Sequence, residues 1–496
     1  MESQLILYAL LAFLTILLFV KKIGKHGKRY PPGPPKLPII GNLHQLDNPL
    51  HRQLHKLSQK YGDLMLLKFG SVPTLVIASA DLTREVIKNH DITFGARPVR
   101  RVTRRTSYEG TDIAFAHYGE YWREVRKISV MELLSNKRVN SFQPIRVDEV
   151  NLLLESVAKT NSAPFDLSEL LHALSNNVLC RVAFGRKFTK ESSNGMRSPQ
   201  ELLLETQDLV GTICLSDSFP WLSWLNKLNG FDARVDKIVK ELDEVYDVVI
   251  QEHLDPTRPK PEHEDLVDVM LRIQQDPTQL VSKVDSFVKA MISNMFIAGT
   301  DTTAATLIWA MTDLMKNPSS LKRAQEEVRK TITGKNRVEE TDVSQLPYLK
   351  AVIKETLRLH PPTPLLIPRE TVEECEVRGY TIPAKTTVFI NAFSMSMDPK
   401  SWEDPTEFRP ERFLDSSIDF RGQHYELIPF GVGRRACPGI NFSDVIIGNA
   451  IANLLYCFNW ELPEGVKEDD VDVEEATGIV VLKKNPLRVV AKPVNV

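Results

Sequence analysis

The stretch Phe430-Gly431-Val432-Gly433-Arg434-Arg435-Ala436-Cys437-Pro438-Gly439 sets one cysteine in a glycine-rich path just ahead of an apolar segment. Glycines permit backbone angles that other residues avoid. The run from Val445 to Leu455, broken only by Gly448, Asn449 and Asn453, predicts a helix beginning near the cysteine. There the helix dipole and backbone N–H groups favour a thiolate, with Arg435 close enough to help. Such a sulfur suits a soft metal. Two other readings compete. Gly431 to Ala436 also spells the dinucleotide fingerprint GxGxxA, with Glu426 to Phe430 as its strand. Pro429 interrupts that strand, and neither an acidic residue about 20 positions on nor a βαβ alternation follows. A buried structural cysteine is the commoner fate of the residue type, and Cys180, Cys214 and Cys457 are assigned to it.

The surrounding chain has 496 residues, with 62 Lys+Arg against 64 Asp+Glu and a net charge of −2. That balance argues against a nucleic-acid binder. With 42% hydrophobic and 25% charged residues it reads as a globular protein with a large core, not a disordered chain or a multi-span membrane protein. Its five cysteines form no CxxC pair, so a disulfide framework and a structural zinc site are both unexpected.

Leu5 to Val20 is apolar apart from Thr15 and would make a helix about 24 Å long, slightly short of the hydrocarbon core. Lys21, Lys22, Lys25, Lys28 and Arg29 follow it, whereas Glu2 alone is charged before it. The positive-inside bias therefore predicts one N-terminal transmembrane helix with the bulk of the chain in the cytosol; a cleaved signal peptide would carry its positive flank on the other side. Residues 1–30 read as membrane anchor and basic flank, 31–36 as a stiff Pro-rich hinge, and 37–496 as one body without linker or repeat.

Within that body, strand-like stretches are short: Leu64 to Phe69, Thr74 to Ile77, Thr387 to Ile390 and Ile479 to Leu482. Most of the rest shows helical spacing, which predicts a mainly α fold with small β-sheets. The longest helical segment runs from about Ser282 to Asn317, stopped by Pro318, and at roughly 50 Å would cross the molecule. Its middle, Ala298-Gly299-Thr300-Asp301-Thr302-Thr303, puts poor helix formers and a charge where a buried helix favours Leu and Ala. Hydroxyl back-bonding there would bend the helix or open a groove, and a buried carboxylate is costly without a use. Gly299 alone fits a close helix crossing.

The pattern Phe430, Gly433, Arg435, Cys437 and Gly439 resembles the haem-ligand signature of the cytochrome P-450 monooxygenases. Three further motifs stand in that family's order: Ala298 to Thr303 is similar to its oxygen-activation helix, Glu355-Thr356-Leu357-Arg358 to its ExxR helix, and Phe408 to Phe413 to its PERF segment. The Pro-rich hinge and His360-Pro361-Pro362-Thr363-Pro364-Leu365 look most like plant microsomal members of the specialised-metabolism group.

The resemblance implies the cytochrome P-450 fold and a haem b whose iron takes Cys437 as its thiolate, in a loop bounded by Phe430 and Gly439. It implies that Trp122, Arg126, Arg369 and Arg435 meet the propionates, and that Glu355, Arg358 and Arg412 lock the haem-side core. Thr302 would hydrogen-bond the bound O2, and Asp301 would connect it to solvent for proton delivery. Substrate-facing positions would be Ile113, Met295, Ala298, Gly299, Thr303, Leu365, Leu366, Gly478 and Ile479, mostly apolar. They suit a small hydrophobic plant metabolite: a terpenoid, alkaloid, aldoxime or phenolic. Electrons would come from a membrane-bound NADPH-dependent flavoprotein reductase, with the anchor in the endoplasmic reticulum membrane. A haem-containing carrier and a dinucleotide-dependent dehydrogenase are the rival expectations.

Overall fold

The computed structural model describes residues 28–188, 197, 199–212, 214–259 and 263–494, so the predicted anchor lies outside the described residues. Among those described, one helix, Ile440–Cys457, is long and apolar enough to cross a membrane. Two thirds of it is buried inside the protein, which makes it a core helix.

The elements around the site are α1 (Leu50–Tyr61), β1 (Leu64–Phe69), β2 (Val72–Ile77), α2 (Ala80–His90), α3 (Glu120–Ile128), β3 (Phe165–Asp166) and α4 (Leu167–Phe184). Further on come α5 (Phe231–Leu254), α6 (Phe287–Gly299), α7 (Asp301–Lys316), α8 (Pro347–Leu359), β4 (Arg369–Glu370), β5 (Cys375–Val377), β6 (Tyr380–Ile382) and β7 (Thr387–Ile390). The chain closes with α9 (Ile440–Cys457), β8 (Phe458–Glu461) and β9 (Arg488–Pro493). Helices dominate, and the strands make three small sheets ordered β1-β2-β7-β4, β3-β9-β8 and β5-β6. β1 and β2 pair antiparallel, Leu64 opposite Ile77, and β2 runs parallel to β7, Thr74 opposite Thr387.

Three of the four predicted strands form. Ile479 to Leu482 does not: it is the far side of a loop closed by a bridge between Glu475 and Lys483. Val481 donates its N–H to Pro362 O at 2.8 Å and accepts the Trp309 indole N–H at 3.1 Å, so its backbone is spoken for outside any ladder. The Pro-rich hinge is tied to the body, because Leu66 donates to Pro32 O and the Asn42 side chain donates to Pro34 O and Pro35 O.

α7 packs against α4, α8 and α9, and is buried from Thr303 to Met315. A helix apolar on every side has this fate. The helix predicted from Ser282 to Asn317 is two helices, α6 and α7, separated at Thr300. Hydroxyls explain the break: Thr300 Oγ1 donates to Phe296 O, Thr302 Oγ1 to Ala298 O at 2.7 Å, and Ser175 of α4 to Thr300 O at 2.6 Å. The Thr300 and Thr302 hydroxyls compete for carbonyls of the preceding turn, while Ser175 adds a second donor to Thr300 O beside the Ala304 N–H at 3.2 Å. Gly299 is a close crossing as expected, since an added Cβ would sit 3.0 Å from a Leu179 methyl.

Candidate active site

The α6–α7 junction, the turn around Leu366 and the cysteine loop line one largely apolar cavity. Gly433 has φ +71°, and an added Cβ there would lie 2.9 Å from the Asp91 carboxylate, so glycine is required for space and for conformation. That carboxylate accepts from the Arg434 N–H and from Arg369 Nη1, both at 2.9 Å, and so ties the loop to the end of α2. The Cys437 N–H donates to Phe430 O at 2.8 Å, closing the loop, and the Gly439 N–H donates to Cys437 Sγ at 3.3 Å. α9 begins immediately afterwards, as predicted. Burial pushes the Cys437 thiol up, offset only in part by the Gly439 N–H and the positive charge of Arg126. The helping cation is thus Arg126, not Arg435, and ligation to a metal would release the thiol proton. Glu426 to Phe430 is a pair of turns, not a strand, which removes the structural setting of a dinucleotide fingerprint.

Four guanidiniums, from Arg97, Arg126, Arg369 and Arg435, line the same cavity against one carboxylate, Asp112. Arg97 is the member that sequence reading missed, for a lone Arg before a proline carries no spacing signal. It donates to Ala114 O, Ile367 O and Pro368 O, and burial draws it well below the usual range, with Arg435 and Arg369 adding repulsion. Arg435 donates to Gly95 O and Ala116 O, lies over the Trp122 ring at 4.3 Å, and is pulled to about 10 by burial and by Arg369. Arg126 donates to Ala436 O at 2.6 Å. The Trp122 indole N–H is engaged by Ile113 O at 3.0 Å, so here the indole serves as the platform for Arg435. A buried surplus of cations beside one soft sulfur and an apolar void fits a flat apolar ligand with two carboxylates and a soft metal. The residues present therefore fit a haem.

Across the α6–α7 junction, Met295, Ala298, Gly299, Thr302 and Thr303 line the cavity, but Asp301 does not. Asp301 is 2% exposed, its Oδ2 has no hydrogen-bond partner, and burial raises its carboxyl from 3.8 to about 6. A folded-state pKa raised in this way means that ionisation works against folding, a cost that builds as pH climbs from about 4 to 6 and stays above it. Asp301→Asn is therefore expected to gain up to about 3 kcal/mol near pH 7.5, from two units at 1.4 kcal/mol each. The gain should shrink as pH falls toward 4. Denaturant titrations at two pH values check it.

Among the other expected positions, Ile113, Leu366, Ile479 and Phe430 line the cavity, whereas Leu365 and Gly478 do not. Leu366 takes φ +54° after a turn that closes on Thr363 O, which sends Leu365 into the cluster with Leu54 and Met65. Gly478 lies instead against Gly211. Outside the cavity, on the helix whose Leu357 lines it, Glu355 and Arg358 form two hydrogen bonds, at 2.7 and 2.8 Å, and both are fully buried. Arg412 Nε and the Arg409 N–H add bonds to Glu355 Oε1 at 3.0 and 2.8 Å. Arg358 also donates to Ser396 O, Pro405 O and Glu407 O.

A helical body with a cysteine loop, an arginine wall and a broken central helix defines the class of haem-thiolate oxygenases. The cytochrome P450 family profile matches residues 31–490, and the chain belongs to that family. It is 50% identical to cytochrome P450 71A9 of Glycine max over 99% of both chains. It is also 50% identical to strychnine-11-hydroxylase of Strychnos nux-vomica, over 97% of this chain and 95% of that one. Among solved structures, a zebrafish cytochrome P450 with abiraterone superposes with a TM-score of 0.75 at 26% identity, over 90% of this chain and all of that one. The protein is thus a haem-thiolate monooxygenase of the plant 71 type, an oxidoreductase that uses O2, an organic substrate and a redox partner.

Proposed function

We propose that Cys437 is the thiolate ligand of the haem iron and that the protein inserts one oxygen atom into a small hydrophobic plant specialised metabolite. The supporting observation is that Cys437 Sγ, held by the Gly439 N–H, opens on the same cavity as Thr302 and the arginine wall. Bound haem supplies the oxidising chemistry that splits O2 and attacks an unactivated C–H bond. Arg97, Arg126, Arg369 and Arg435 neutralise its propionates and hold its orientation. The apolar wall from Ile113, Met295, Ala298, Leu366 and Ile479 binds substrate by shape and excludes water. Strychnine-11-hydroxylase, half identical, carries an alkaloid in its name, which supports the alkaloid among the terpenoid, alkaloid, aldoxime and phenolic classes.

Thr302 delivers protons. Its hydroxyl is back-bonded to Ala298 O at 2.7 Å and turns into the cavity by exchanging that one bond. Thr302→Ala is expected to keep haem and NADPH consumption while product per NADPH falls roughly tenfold or more and peroxide appears. An unchanged yield places Thr302 outside the proton path.

Electrons come from an NADPH-dependent flavoprotein reductase on the same membrane. Residues 5–20 anchor the chain in the endoplasmic reticulum with the body in the cytosol, and this tether raises the effective concentration of the two partners. Incubating microsomes that hold both proteins with terpenoid, alkaloid, aldoxime and phenolic libraries tests the reading. A product one oxygen heavier that requires NADPH supports it; no turnover across all four classes defeats the substrate assignment.

A further inference from the structure

Oxygen insertion consumes protons: one O2, two electrons and two protons yield one inserted oxygen atom and one water. Those protons must reach a largely apolar cavity at Thr302. Asp301 sits beside Thr302 but is itself closed off, with one carboxylate oxygen unpartnered. The way in must pass through whatever faces that carboxylate.

His172 of α4 faces it. Its Nδ1 lies 3.9 Å from Asp301 Oδ1, and its side chain is 23% exposed against 2% for the aspartate. Among the described residues it is the one basic side chain within 4.0 Å of Asp301. On α6, α8 and α9, which also pack against α7, charges are engaged with other partners: Lys289 of α6 with Asp243 and Asp247, Arg358 of α8 with Glu355, and Asp444 of α9 with Arg421. Asp313 of α7 itself pairs with His360. Ser175, three residues after His172 on α4, donates to Thr300 O, so the same helix that carries the imidazole also pins the break in α6–α7 beside it.

We propose that His172 is the solvent-side relay residue that feeds protons to Asp301, and through it to Thr302. It acts through Asp301 and touches neither substrate nor haem. In each transfer Nε2 takes a proton from water while Nδ1–H passes one to Asp301 Oδ1, across a gap that one rotamer adjustment closes, and rotation of the ring or proton exchange with water restores Nδ1–H before the second proton of the cycle. No bond other than N–H and O–H changes, and the electrons come from the redox partner. Burial shifts the two groups toward each other, raising the Asp301 carboxyl to about 6 and lowering His172, with Asp166 opposing the drop.

The inference rests on the haem-thiolate reading and is separable from it. His172→Phe and His172→Gln, full-length and haem-loaded, are reconstituted with a flavoprotein reductase and NADPH. Both should keep the reduced carbon-monoxide Soret band of the parent, which shows that the ligand site is intact. Their NADPH consumption should fall roughly ten- to a hundredfold, within reach of what a positioned acid–base group contributes, and should vary less with pH between about 5.5 and 8 than the parent's. In infrared titration, the carboxylic acid band that vanishes in Asp301→Asn should titrate at higher pH once the neighbouring imidazole is gone. Either an unchanged NADPH rate and pH profile, or an unmoved Asp301 band, overturns the relay. Loss of the Soret band in the parent protein overturns the haem-thiolate reading instead.

Discussion

Cys437→Ala is expected to abolish the reduced, carbon-monoxide-bound Soret band typical of thiolate ligation and to bring product formation below detection. Among the described residues no other cysteine lines the cavity, and Cys180 and Cys214 are buried elsewhere in the core. Alanine leaves the loop's closing bond, Cys437 N–H to Phe430 O, in place, so the fold around the site should survive. What disappears is the soft donor, and with it the electron density that favours O–O cleavage. Cys437→Ser separates the two effects: a harder oxygen donor at the same position should hold haem with an altered spectrum and no oxygenation. A parent-like spectrum in Cys437→Ala removes this sulfur from the iron.

Glu355→Ala should prevent accumulation of folded, haem-loaded protein. Glu355 is the shared acceptor for Arg358, Arg412 and the Arg409 N–H, and it is fully buried. An exposed pair at three-residue spacing contributes only a few tenths of a kcal/mol. Here, removal strands one fully buried guanidinium and one nearly buried, and breaking a buried pair costs about 3–5 kcal/mol for a single orphaned charge. Two orphaned charges roughly double that loss, which then rivals a total stability of about 5–15 kcal/mol. Glu355→Asp keeps the charge but not the reach, and should lower the melting temperature without abolishing folding. Yield of haem-bearing protein and thermal midpoint read both variants; a Glu355→Ala protein with the parent's midpoint would show that the carbonyls around Arg358 suffice.

The reading from residues succeeded where chemistry is carried by close neighbours. The cysteine loop, the ExxR pair and the hydroxyl-rich middle of the central helix are short patterns, and the structure brings the first two into the predicted helix start and buried ion pair, while the third, expected as a bend or groove, is a full break between two helices. It failed where a backbone is claimed by distant partners. Ile479 to Leu482 looks like a strand by composition, yet Pro362 and Trp309 take its hydrogen bonds. Leu365 and Leu366 are indistinguishable as residues, and a single positive φ decides which one faces the cavity.

From the order of its amino acids alone, the chain determined its helical class, its cysteine loop and the Glu355–Arg358 pair, because each depends on residues a few positions apart obeying local rules. Tertiary packing decided the rest. Arg97 joins the arginine wall, His172 meets Asp301, and Ser175 reaches Thr300 O at the break in the central helix only after helices far apart in sequence are pressed together. Those encounters arise from many weak apolar contacts summed over the whole core, and no short stretch of the chain spells them out.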